Sequence, residues 1–110
     1  MGRNDYHVIA CKLLKYLYDC LRKGKEINFD FLTPEYFKVD GGYWDYVLRH
    51  LVEDGHIEGA ILLPIMGTTE QGVKMTKSLN ITPKGIEYLD ENSAMKKAKD
   101  FLELAQGFIP

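Results

Sequence analysis

The chain has few of the residues that usually carry chemistry. It holds three histidines and two cysteines in 110 residues, and their spacing completes no reactive set. Cys11 and Cys20 lie nine positions apart within one helical pattern. At a rise of about 1.5 Å per residue they stand roughly 13 Å apart along the axis, too far to bridge. His7 and Cys11 form an i,i+4 pair, but no Cys-x-x-Cys and no second histidine pair completes a metal site. Gly41-Gly42 lacks the further glycine and the Lys-Ser/Thr that a phosphate loop needs, and neither Gly-x-Ser-x-Gly nor His-Glu-x-x-His occurs. No catalytic, metal or cofactor residue is assigned, and an enzyme is not expected.

Long apolar runs are also missing. The longest, from Gly59 to Gly67, is interrupted by Pro64 and falls well short of the roughly 18 residues of a membrane span. Arg3, Asn4 and Asp5 lead into a charged helical pattern, not a secretory apolar region. These features predict a cytoplasmic protein that does not enter the membrane.

With 45% apolar and 27% charged residues, the chain reads as one globular domain over 1–110. Asn4 or Asp5 caps a first helix to about Lys23, with Gly24 as its left-handed stop. Its inner face is Ile9, Ala10, Leu13, Leu14, Leu17, Cys20 and Leu21. Glu26-Ile27-Asn28 suits a short pairing strand. Thr33-Pro34-Glu35 starts a brief second helix, since Thr caps it, Pro takes the first position and an acid meets the positive first turn. Val39 to Gly42 reads as a turn, and a third helix begins near Tyr43. That helix directs Trp44, Val47, Leu48, Leu51 and Val52 inward. Tyr43, Asp45, Tyr46, Arg49, His50 and Glu53 face outward.

After Gly55 the period changes from helix to strand. His56 to Leu63 and Val73 to Ile81 read as a hairpin around a Gly-Thr-Thr-Glu-Gln-Gly turn. Thr82-Pro83 launches a further helix, in which Gly85 permits close approach to the sheet. Ser93 caps a last amphipathic helix whose stripe is Met95, Ala98, Phe101, Leu102 and Ala105. This stripe suits packing on the chain's own first helix, or a homodimer formed through the C-terminal helix. A short helix, a tight turn and a longer helix make a helix-turn-helix, whose second member in DNA-binding proteins lies in the major groove. Arg49 is placed to reach a guanine edge, and Tyr43 and Tyr46 a phosphate or a thymine methyl. Lys74 and Lys77 on the returning strand are placed to meet a phosphate backbone.

Charge opposes that placement. The net is -2, and residues 27–55 carry six acids against two Lys/Arg, whereas residues 1–26 carry six Lys/Arg against three acids. Cations against phosphates supply most of the affinity for nucleic acid, and here they are not on the helix that would dock.

Helix, short helix, turn, a helix closing in Glu53-Asp-Gly-His-Ile57, a hairpin, and then the phrase Ile81-Thr-Pro-Lys-Gly-Ile-Glu-Tyr-Leu together resemble the winged-helix superfamily. The continuation through Asp90-Glu-Asn-Ser-Ala-Met-Lys-Lys-Ala-Lys99 resembles in particular the YjcQ-like family of small proteins from Gram-positive bacteria and their prophages. The likeness spans about residues 6 to 105. It implies a winged helix-turn-helix, mainly α with a small antiparallel β-hairpin, in the order α-β-α-α-β-β-α with an additional C-terminal helix. The helix-turn-helix covers about 33–55, the wing about 56–82 and the C-terminal helices about 83–106. The resemblance also implies a DNA-binding, phage-related regulatory role. It brings no catalytic or ligand residues, and in the superfamily the docking positions are the third helix and the wing, here Tyr43, Tyr46, Arg49, Lys74 and Lys77. The leading expectation is a DNA-binding protein that meets double-stranded DNA at those five residues; the alternative is a protein-interaction module that does not bind DNA and meets its partner through the acidic, tyrosine-bearing third helix.

Overall fold

The computed structural model describes residues 5–67 and 71–92. Helix α1 (Asp5–Lys23) is followed by a single 3₁₀ turn (Phe29–Phe31), a one-turn helix α2 (Pro34–Phe37) and helix α3 (Gly41–Glu53). Strands β1 (Ile57–Pro64) and β2 (Gln71–Ile81) then pair antiparallel, and residues 83–92 form a further helix, α4. The arrangement is mainly helical with one two-stranded sheet, and its order fits a winged-helix-like fold.

Each helix ends where its local chemistry stops it. Gly24 and Gly55 follow α1 and α3 with φ of 66° and 78°. The next amides, of Lys25 and His56, reach back to the carbonyls of Cys20 and Leu51 at 2.9 and 2.8 Å. That closure satisfies helix-end carbonyls and requires a left-handed residue, which glycine adopts without steric cost. Thr33 caps α2 by accepting from the Tyr36 amide at 3.1 Å, with Pro34 in the first helical position.

Three expectations need correction. Residues 26–28 form no strand, and among the described residues the sheet has two strands. The Asn28 amide donates instead to the Tyr16 hydroxyl at 2.8 Å, and the Asn28 carboxamide caps the 3₁₀ turn at the Asp30 amide. The backbone polarity that a strand would satisfy is met by side chains. Helix α3 begins at Gly41, two residues earlier than expected, because Asp40 accepts from the Gly42 amide at 2.9 Å. Glycine costs little in a first turn whose amides have no intrahelical partner. Leu21 is 48% exposed and not part of the inner face, since α1 outruns the layer packed on it. The last amphipathic helix expected after Ser93, with its dimer stripe, lies outside the described residues.

The core sits between α1 and α3 and is closed by the base of the hairpin and by α4. Leu13, Leu14 and Leu17 meet Val47, Leu48 and Leu51, with Ile57, Leu79, Ile81 and Leu89 beneath. Trp44 packs its ring 4.8 Å from Phe37, tying α2 to α3. The junction of sheet and α4 is the tightest point. The Thr82 hydroxyl donates to the Gly55 carbonyl at 2.5 Å and accepts from the Gly85 amide at 3.0 Å, so one side chain joins the end of α3 to the start of α4. A Cβ on Gly85 would stand 2.2 Å from the His56 carbonyl oxygen, which explains the glycine there.

The hairpin is irregular where it leaves the core. Glu58 pairs with Asn80 and Ala60 with Met75, so Gly59 alone faces residues 76–79. Gly59 has φ of 78°, and its missing side chain admits the Ser78 carbonyl. The Thr76 hydroxyl holds the crossing by donating to the Gly59 carbonyl at 2.7 Å. Beyond this bulge Ala60, Val73 and Met75 pack toward the core, while Ile61 and Leu63 are exposed on the opposite side.

Candidate interaction face of the third helix

Helical spacing puts Tyr43, Tyr46 and His50 on one outward stripe of α3, at i, i+3 and i+7. The rings of Tyr43 and Tyr46 lie 6.2 Å apart and nearly parallel, at 20°. His50 follows 4.4 Å from Tyr46. Tyr6, from the first turns of α1, meets the stripe edge-on, 6.5 Å from Tyr46 and 6.4 Å from His50. Tyr6, Gly42, Tyr43 and Tyr46 line an open hollow on this face. Tyr46 is its most exposed ring at 46%.

Arg49 does not stand clear of the helix. Its guanidinium carbon lies 5.5 Å from the centre of the Tyr46 ring, and its Nη1 is 3.8 Å from the Glu53 carboxylate. Glu53 also faces the Nδ1 of His50 at 4.0 Å. Residues 43–54 carry Asp45, Glu53 and Asp54 against this one arginine. The face is therefore aromatic and acidic, with its only arginine engaged inside it.

The structure brings Tyr43, Tyr46 and Arg49 together and leaves Lys74 and Lys77 on a separate element, both exposed on β2. Lys74 pairs across the sheet with Ile61. The hairpin is more apolar than a lysine-bearing wing suggests: Ile61, Leu63, Ile65 and Met66 are all exposed, Met66 at 95%. The unbroken apolar run in β1 was the sequence signal for this, because period-two reading requires a polar residue at every second position.

All three histidines join one aromatic network. His7 contacts Tyr6, shares a hydrogen bond between its Nδ1 and the Tyr88 hydroxyl and stacks on that ring. His56 packs 4.7 Å from Tyr88 on the other side. Burial pushes the Tyr88 phenol well above its ordinary range, so it remains neutral. The Nδ1 of His56 is buried and meets no hydrogen-bond partner among the described residues. Burial lowers the pKa of His56, and Lys84 adds to this, while Asp54 opposes it.

A lowered histidine pKa has a definite sign in stability. Below the unfolded value of about 6.5 the unfolded chain takes up a proton that the folded chain resists, so stability is present above that pH and declines as pH falls through it. Urea midpoints measured from pH 7.5 to about 5 should fall toward acid, and His56→Phe should flatten the fall. A midpoint that rises toward acid in the unmodified chain would contradict this assignment.

The chain matches the profile of the family described as YjcQ protein over residues 11–106. No curated protein and no solved structure matches the chain. Among the described residues no helix is long and apolar enough to cross a membrane, and no group of three or more His, Cys, Asp or Glu is placed to hold a metal ion.

Proposed function

We propose that this chain, which belongs to the YjcQ family, is a cytoplasmic protein-binding module on a winged-helix frame, and that it presents the outward face of α3 to its partner. The observation that carries this reading is the make-up of that face, where the rings of Tyr43 and Tyr46 lie 6.2 Å apart and residues 43–54 carry three acids against one arginine. Duplex DNA would meet repulsion from that surface, because its binding depends on cations brought to phosphates. Tyrosine, by contrast, is enriched at protein interfaces and among the residues that dominate their affinity.

The second reading is a DNA-binding, phage-related regulator. The order of helices and hairpin favours it, as does the exposure of Lys74 and Lys77 on β2. The Arg49–Glu53 pair does not by itself exclude it. A partly exposed i,i+4 pair is worth only about 0.3–0.5 kcal/mol, which a guanine contact would outweigh. What weighs against DNA is the sign of the whole face. Asp45 and Glu53 would flank any phosphate that Arg49 approached.

Capture from host extract on the immobilised chain tests the first reading. A protein partner should be recovered, and Tyr46→Ala should lose it while leaving the helical circular dichroism unchanged. Recovery that is the same with either chain would count against α3 as the binding face.

A further inference from the structure

The hollow bounded by Tyr6, Tyr43 and Tyr46 has the composition of a site for a cationic side chain. Its rings occupy two planes, Tyr43 and Tyr46 at 20° to each other and Tyr6 at 85° to Tyr46. An aromatic face attracts a cation through its quadrupole, and rings in perpendicular planes offer more than one such face. At one end lies Gly42, which has no side chain to fill the space and whose amide holds the Asp40 carboxylate at 2.9 Å. At the other end Tyr6 presents its ring edge-on to Tyr46 and His50, at 6.5 and 6.4 Å. The Asp40 carboxylate thus lies at one end of a tyrosine-lined hollow.

Arg49 shows which cation the rings accept. Its guanidinium lies 5.5 Å from the Tyr46 ring centre. A planar, weakly hydrated guanidinium stacks on an aromatic ring more readily than a compact ammonium does. We propose that the hollow receives an arginine side chain from a basic segment of a partner protein. This rests on the reading of α3 as a protein-binding face and goes beyond it by naming the partner's chemistry. The Asp40 carboxylate beside Gly42 supplies complementary charge at the hollow, on a helix whose residues 43–54 carry three acids against one arginine.

The test is an NMR titration of the full chain with an eight-residue peptide of alternating arginine and glycine, repeated with the peptide in which citrulline replaces arginine. Citrulline keeps the shape and several donors of arginine but is neutral. Amide shifts at Tyr6, Gly42, Tyr43 and Tyr46 should move with the arginine peptide and not with the citrulline peptide. Tyr43→Leu should weaken binding roughly 3- to 10-fold, the size of one ring–cation contact, whereas Tyr43→Phe should retain it. Tyr6→Leu serves as the independent variant should Tyr43→Leu disturb the fold. Equal shifts with both peptides, or no shifts at these residues, would overturn the proposal. If capture on α3 still depends on Tyr46 while the arginine peptide fails, this inference falls and the protein-binding reading stands. If the arginine peptide binds at the hollow but capture is indifferent to Tyr46, the cation site stands without a role in partner binding.

Discussion

Gly85→Ala should destabilise the chain by about 2–4 kcal/mol, a large part of the roughly 5–15 kcal/mol that a domain of this size possesses. The added methyl would lie 2.2 Å from the His56 carbonyl oxygen and 2.8 Å from Cγ1 of Ile81. Neither neighbour is free to yield. The His56 carbonyl accepts from the Thr82 amide at 3.1 Å, and Ile81 is buried in the core. Relief requires α4 to lift from the sheet, which would strain the Thr82 bond to Gly55 that joins α3 to α4. Gly41→Ala is the matched control. It lies in the first turn of α3 with nothing within 4 Å of its new methyl, so it should be neutral or slightly stabilising. Urea unfolding followed by circular dichroism measures both. A Gly85→Ala chain within about 0.5 kcal/mol of the parent would show that α4 does not pack as described.

The second large effect is expected at Trp44. Its ring is 4% exposed, and truncation to alanine leaves a cavity beside Phe37, at a cost of about 3–5 kcal/mol. The loss should extend to α2. That helix is only four residues long and is held by its Thr33 cap and by the Phe37–Trp44 contact. Hydrogen exchange at the Phe37 amide, which donates to the Thr33 carbonyl at 3.2 Å, should therefore accelerate beyond what global destabilisation explains. Trp44→Phe, which keeps much of the ring, should lose less than half as much. Trp44→Ala and Trp44→Phe of equal stability would place the contribution of this side chain outside the cavity argument.

The legible parts of the fold were those decided by neighbours in sequence. Thr33-Pro34, Thr82-Pro83, Gly24 and Gly55 act within four or five residues of themselves, so their roles follow from local geometry. Gly85 was legible for the same reason, as a glycine one turn into a helix that leaves a strand. The strand expected at 26–28 failed because Asn28 is satisfied by Tyr16, a side chain twelve residues earlier that no local pattern announces. The candidate site divided along the same line. Tyr43, Tyr46 and Arg49 were found together because one helix carries them. Tyr6 was missed because its approach to Tyr46 depends on how α1 crosses α3, which helical periodicity does not specify. The network of His7, His56 and Tyr88 joins three elements and was invisible for that reason. Where Lys74 and Lys77 on β2 lie relative to the α3 stripe is likewise a matter of tertiary packing, and a resemblance to a superfamily groups the five residues only by analogy.

On the proposal above, the outward face of α3 recognises protein and not duplex DNA. This is tested most directly by fluorescence anisotropy with a random-sequence duplex of about 30 base pairs, as salt is raised from about 50 to 200 mM. No saturable binding is expected at tens of micromolar chain even at the lowest salt. Micromolar binding that weakens steeply with salt, and that is lost when Arg49 and Lys74 are both changed to alanine, would contradict it and restore the helix and hairpin to a DNA-docking role.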